Sequence, residues 1–203
     1  MLRFLCVMAL LALSALRPAS AGEDTPPDIT TLITPRVIAY LRDIGKADII
    51  ELSVAGQNAR YGELPQSEID RLDTQWRTER KSVEKPLIAM TLSRPLSIYL
   101  IRIQSDRIGL LTAIFAMDRN GLNVGQSAPT SDFWQGDEDK FLQTYPIGPD
   151  AVHIGEVEWV PEWAVWIGQV SLTLTDRSGQ KIGAITFDIN LDELARRQGV
   201  NLM

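Results

Sequence analysis

The hydrophobic period of this chain changes once, near residue 110, and that change constrains the fold more than any other feature. Before it, apolar residues recur at three- and four-residue steps; after it, they alternate. Helical and strand patterns are thus segregated into two halves, which points to an α+β fold with helices on one side of an antiparallel sheet. Pro35 suits a helix start, where its missing N–H costs nothing. Ile38, Leu41, Gly45, Ile49 and Leu52 follow as one stripe; Gly45 can break it, so one long helix and two shorter ones both fit. In "ELPQSEIDRLDTQW", Ser67 is a candidate N-cap, with Ile69, Leu72 and Trp76 on one face. Helical pattern resumes from Val83 to Ser105, tolerating Pro86 near its start and interrupted by Pro95.

The alternating half predicts five strands: Leu110–Asp118, Leu122–Ser127, Ala151–Trp159, Val165–Thr175 and Lys181–Asn190, with "LDELARR" as a short closing helix. "MDRNGLNVG" and "TDRSGQKIG" repeat Asp-Arg-x-Gly. This is repeated turn chemistry, in which Asn or Ser followed by Gly supplies positive φ angles to a hairpin.

The N-terminus reads as a secretory signal. Arg3 precedes the apolar run Phe4–Leu16, and Ala19-Ser20-Ala21 fits a small-residue cleavage site. That run is shorter than the roughly 20 residues a bilayer requires. The expected organisation is a signal peptide over 1–21, a flexible Pro- and Thr-rich lead-in over 22–33, and one domain over 34–203. The expected location is the periplasm, with no membrane insertion once the signal is removed. The lone cysteine, Cys6, lies in the signal, so the mature chain forms no disulfide. Removing Arg3 and Arg17 with no acid takes the net charge from −6 to −8. No basic cluster remains that could track phosphates, which argues against nucleic acid, and an anionic membrane surface is a poor partner.

Most catalytic chemistries lack their residues. His153 is the single histidine, whereas zinc wants several His or Cys ligands. It lies in a predicted strand without a nucleophile elbow nearby, so Ser-His-Asp or Cys-His catalysis is disfavoured too. No Gly-rich phosphate loop is present, and no spacing supports a glycosidase-like carboxylate pair. The chain is therefore expected not to be an enzyme and to carry no cofactor.

Two segments hold the remaining functional signal. "TSDFWQGDEDKF" (Thr130–Phe141) sets Phe133 and Trp134 among Asp132, Asp137, Glu138 and Asp139. The acids lack the spacing of an EF-hand, so a helix start with Asp137 as cap is favoured over calcium. The second segment is the sheet. Gln169, Ser171 and Thr173 point one way on the fourth strand, with Trp166, Val170, Leu172 and Leu174 opposite; on the fifth, Thr186 and Asp188 oppose Ile185, Phe187 and Ile189. One sheet face is oily and the other polar. The polar one fits a solvated outer face and a pocket floor covered by the Trp134 loop equally well. Trp159, Trp163 and Trp166 add a Trp-rich stretch suited to recognition.

"IDRLDTQW" (Ile69–Trp76), "FAMDRNGLNVGQSAPTSDFWQGDEDKF" (Phe115–Phe141) and "GQVSLTLTDRSGQKIGAITFDINLDEL" (Gly168–Leu194) together resemble the single-domain, PAS-like Cache (PDC-type) sensors of the periplasm. The resemblance covers about residues 35 to 195. It implies a long N-terminal helix packed on a central antiparallel sheet of about five strands, and a small-molecule pocket on the sheet face away from that helix. It also implies a sensing role feeding signal transduction, with output to a membrane-bound sensor kinase, cyclase or chemoreceptor. In such a pocket Phe115, Met117, Trp134, Tyr145 and Trp163 would form apolar walls, and Gln126, Asp132, Gln169, Ser171 and Asp188 polar contacts. Two departures from the family pattern fall near this pocket: "WVPEW" (Trp159–Trp163) replaces a polar stretch, and Ala113 stands where a glutamate is frequent. The alternative is a protein-interaction module with a degenerate pocket, docking a membrane sensor through the Trp-rich segment.

Overall fold

The computed structural model describes residues 25–199, so the expected signal peptide lies outside the described residues. The helices are α1 (Ile29–Leu32), α2 (Pro35–Gly45), α3 (Asp48–Tyr61), α4 (Gln66–Arg80), α5 (Pro86–Leu92), α6 (Pro95–Asp106), α7 (Asp139–Leu142) and α8 (Leu191–Gly199). The strands are β1 (Leu111–Met117), β2 (Asn123–Gln126), β3 (Val152–Val160), β4 (Val165–Thr175) and β5 (Lys181–Asn190). All neighbours are antiparallel, in the order β2-β1-β5-β4-β3. The fold is α+β.

The first helical run is two helices. Thr34 caps α2 through its side chain, with Pro35 in the first turn; the chain turns at Lys46–Ala47 and restarts as α3. That turn resets the helical phase. The buried positions are Val37, Leu41 and Ile44 on α2, then Ile50 and Val54 on α3, whereas Leu52 is 71% exposed. Of the stripe expected beyond Gly45, Ile49 still packs half-buried against the main core, whereas Leu52 turns to solvent. Ser67 lies inside α4, whose N-cap is Pro65, and the expected Asp137 cap falls instead on Glu138, without a side-chain bond. The helical run is interrupted before Pro95 as expected, α5 and α6 each starting at its own proline. Part of the segment read as a flexible lead-in is helical: α1 rests on α8, and Gln198 Nε2 donates to the Leu32 carbonyl at 2.8 Å.

The oily sheet face, including Ile114, Leu172, Ile185 and Phe187, packs with α2, α3 and α6 into the main core. Each such side chain withdrawn from water contributes about 1.5–3 kcal/mol, and this is the principal force holding the helices to the sheet. Beyond the sheet, α4 and α5 build a second cluster with the β1–β2 hairpin, centred on Ile69, Leu72, Trp76 and Phe133. Buried Glu79 links these helices by accepting the Ile88 N–H at 2.9 Å, near the uncapped start of α5.

The two Asp-Arg-x-Gly turns share one geometry. Asp118 Oδ1 accepts the N–H groups of Asn120 and Leu122 (2.8 and 3.0 Å); Asp176 Oδ1 accepts those of Ser178 and Gln180 (2.8 and 3.0 Å). Only the glycines have positive φ, +78° at Gly121 and +82° at Gly179; Asn120 and Ser178 do not. Each loop is thus a turn closed by one left-handed glycine, not a two-residue turn with both central residues left-handed.

Candidate functional site

The sheet face away from the main core is divided in two. Over β1 and β5, α7 and the chain after it form an apolar cover in which Phe115, Met117, Phe141 and Ala184 are buried together with Tyr145. Phe141 and Tyr145 stack at 5.4 Å between centroids. α7 also reaches β3 and β4, and between its start and β3, β4 and the end of β5 the described residues leave a cleft of about 1100 Å³.

The cleft floor follows from strand register. Gln169 and Asp188 are cross-strand partners, and Gln169 Nε2 donates to Asp188 Oδ1 at 2.8 Å. Ser171 and Thr186, the next pair on that face, share a buried hydroxyl–hydroxyl bond of 2.9 Å. On β3 the register shifts between Ile154 and Val157, so Gly155 and Glu156 together face the single residue Gln169. This bulge lets His153, Glu156 and Glu158 all border the cleft, whereas strict alternation would have divided them between faces. Asp137, Glu138, Asp139 and Lys140 close the opposite side.

The site is acidic, with Lys140 as its internal counter-charge. Lys140 Nζ pairs with Glu138 at 2.7 Å, lies 3.3 Å from Gln135 Oε1 and sits 5.5 Å from the Phe115 ring centroid. Burial pushes the Asp188 carboxyl above the usual carboxylate range. The Gln169 amide and the charge of Lys140 pull it back, and Glu158 adds to the upward push. Burial dominates because a hydrogen bond to a charged group contributes about 1.5–3 kcal/mol, whereas withdrawing a carboxylate from water costs several. The floor therefore holds an acid that an incoming positive charge would stabilise. Among the described residues, no three His, Cys, Asp or Glu side chains converge to hold a metal ion.

Of the residues expected to line a pocket, Gln169 and Asp188 border the cleft. Ser171 is buried beside them in the Thr186 pair. Phe115, Met117 and Tyr145 belong to the α7 cover. Gln126 is buried on β2, its side-chain oxygen accepting from Thr130 Oγ1 at 3.1 Å. Asp132 faces α4, 3.4 Å from Arg77, and accepts from Gln135 Nε2. Trp163 is 61% exposed in the β3–β4 connection. Trp159 and Trp166 are half-buried and face each other at 5.3 Å, so Trp163 alone of the three stands out into solvent.

Trp134, expected as a lid, is placed elsewhere. It packs against the α4 cluster, pairs with Leu122 in an isolated β-bridge, and donates Nε1–H to the Asn120 carbonyl at 2.8 Å. Neighbouring Phe133 stacks on Trp76 at 5.1 Å, and Trp76 Nε1 donates to the Thr130 carbonyl at 3.0 Å. Thr130–Gln135 is thus a clamp joining α4 to the β1–β2 hairpin. His153, Glu156, Glu158 and Lys140 were missed as cleft residues. Alternation could have found His153, but the bulge that brings Glu156 and Glu158 to the same cleft leaves no sequence signal other than Gly155.

No protein-family model matches the sequence, and no curated protein is similar to it at a significant level. Solved structures that it resembles are sensor domains. The ligand-binding domain of the Campylobacter jejuni chemoreceptor Tlp3, in complex with 4-methylisoleucine, has 11% identity over 84% of this chain and 66% of that one, with a TM-score of 0.39. The ligand-binding domain of the Pseudomonas aeruginosa amino acid chemoreceptor PctC, with GABA, has 14% identity over 78% and 63%, at 0.35. The sensor domain of the V. cholerae histidine kinase DctB has 9% identity over 79% and 59%, at 0.37. The chain spans less than two thirds of the length of each, and the likeness is loose.

Proposed function

We propose that this protein is a non-catalytic, Cache-type small-molecule sensor of the periplasm that takes a ligand bearing a positively charged group, such as an amine, in the cleft over Gln169 and Asp188. The observation that carries this reading is Asp188: a desolvated carboxylate held in place by Gln169 on the floor of an open, acid-lined cleft. A ligand ammonium would recover the interaction that burial denies this carboxylate, while the apolar parts of Ile154, Val157, Trp159 and Ile167 bordering the cleft suit a carbon body. The sequence resemblance over residues 35–195 supports the sensing role, and the signal-like N-terminus supports the location. Output would pass to a membrane-bound kinase, cyclase or chemoreceptor.

The test is a thermal-shift screen of primary amines against matched carboxylates, followed by calorimetry on the wild type and on Asp188→Asn and Gln169→Ala. An amine that binds and loses at least about tenfold in affinity, about 1.4 kcal/mol, on Asp188→Asn is the expected result. Binders confined to the carboxylates, or an amine indifferent to Asp188→Asn, would overturn the proposal. Recovery of a bound ligand chemically altered after incubation would overturn its non-catalytic part.

A further inference from the structure

We propose that the groove between α2, the turn after α6, and α8 is a second ligand site, for a small organic anion: a carboxylate or phosphate carried on a compact apolar body. The groove encloses about 440 Å³ and is lined by Arg36, Tyr40, Asp43, Arg107, Leu110 and Arg197, together with Ala39. Three guanidinium groups meet here in a chain whose net charge is −6. Arg107 is held from two directions: its Nε donates to the Tyr40 hydroxyl, and its guanidinium lies 5.3 Å from the Tyr40 ring centroid. Among the described residues it has no carboxylate partner, so its two Nη groups remain available as a fork. Arg197 is fixed by Glu193 and by the Ile108 carbonyl, each at 2.8 Å. Glu193 also binds Arg196, so one carboxylate answers two guanidiniums and positive charge is left over. The lining acid, Asp43, pairs with Lys46 at 3.1 Å. Tyr40, Ala39 and buried Leu110 supply an apolar floor. A preset guanidinium fork above such a floor suits bidentate capture of a carboxylate or phosphate, and none of these residues borders the sheet-face cleft.

The experiment titrates the protein with benzoate and with phenyl phosphate, using benzyl alcohol as the uncharged control, and follows amide chemical shifts and heat. Arg107→Ala, Arg107→Lys and Asp188→Asn are compared after circular dichroism confirms their folding; Arg107 is exposed, so its loss leaves the core intact. Expected is saturable binding of at least one anion, weakened about tenfold or more by Arg107→Ala, weakened less by Arg107→Lys, and unchanged by Asp188→Asn. The proposal is overturned if neither anion saturates, if benzyl alcohol binds as well, or if binding survives Arg107→Ala. Association with phosphatidylglycerol vesicles alone, without either small anion, also overturns it.

Discussion

The carboxylate of Asp73 caps the backbone at Phe133, 60 residues away. Its Oδ1 accepts the N–H groups of Phe133 and Trp134 at 2.9 and 3.1 Å, while Oδ2 pairs with Arg77 at 2.7 Å. This is the point at which α4 grips the conspicuous aromatic–acidic segment. Asp73→Ala leaves two N–H groups unpaired and is expected to cost about 2–3 kcal/mol, with Asp73→Asn milder because its amide oxygen can still accept. Urea unfolding measures the loss; cleft-ligand affinity should not move, since none of these groups borders the cleft. Wild-type stability in Asp73→Ala would show that the clamp is idle.

Gly121 and Gly179 separate backbone strain from packing. Both are left-handed, but a Cβ on Gly121 would lie 2.5 Å from Gly136 Cα, whereas one on Gly179 would meet nothing within 4 Å. Gly179→Ala should cost about 1–2 kcal/mol, the left-handed penalty alone. Gly121→Ala should cost clearly more, because Gly136 and the Trp134 indole must shift. Equal unfolding midpoints for the two variants would contradict this.

Asp188 sets a pH dependence of both stability and binding. Its folded-state pKa is raised by burial, so between the ordinary carboxylate value of 3.8 and that raised value the native state binds more protons than the unfolded one. Stability therefore falls as pH rises through this window, and Asp188→Asn should remove that component. Binding of a cationic ligand needs the ionised form and runs the other way, strengthening as pH rises through the same window. Calorimetry across the acid range checks both, and a wild-type binding profile identical to that of Asp188→Asn would reject the assignment.

Glu193 has the opposite sign. Hydrogen bonds from Arg196 and Arg197 lower its pKa from 4.5 to about 2. Its contribution to stability is fully present above 4.5 and is lost as pH falls through about 2. Glu193→Gln should flatten the acid limb of the stability curve, and salt should shrink the difference because the pair lies near the surface. An unchanged acid limb in Glu193→Gln would show that the ion pairs contribute nothing.

Legibility in the sequence followed the range of the interactions. The bounds of β4 and β5 were readable because period-two alternation and Asp-x-x-Gly turn chemistry are both local, and the same alternation placed Gln169 and Asp188 on one face. The α2–α3 stripe failed at Leu52 because Gly45 signals a possible break but not the length of the turn at Lys46–Ala47, which is what resets the helical phase. The role of Trp134 was hidden for a different reason. An acidic, aromatic loop suggests a lid, but its partners, Asp73 and Trp76, come from a helix about sixty residues earlier. Glu156 was unreadable because its placement depends on the irregular pairing of β3 with β4.

That irregular pairing has a consequence for association. Among the described residues β3 is the outermost strand on its side of the sheet, so its far row of backbone donors and acceptors faces no strand partner there. An unpaired edge of nine residues invites a second chain to add on. The bulge at Gly155–Glu156 breaks the regular spacing that an added strand would require, and exposed Glu156 and Glu158 would set like charges against a second copy. The acids that border the cleft thus also guard the molecule against edge-to-edge aggregation, so neutralising them to alter ligand preference would cost solubility as well.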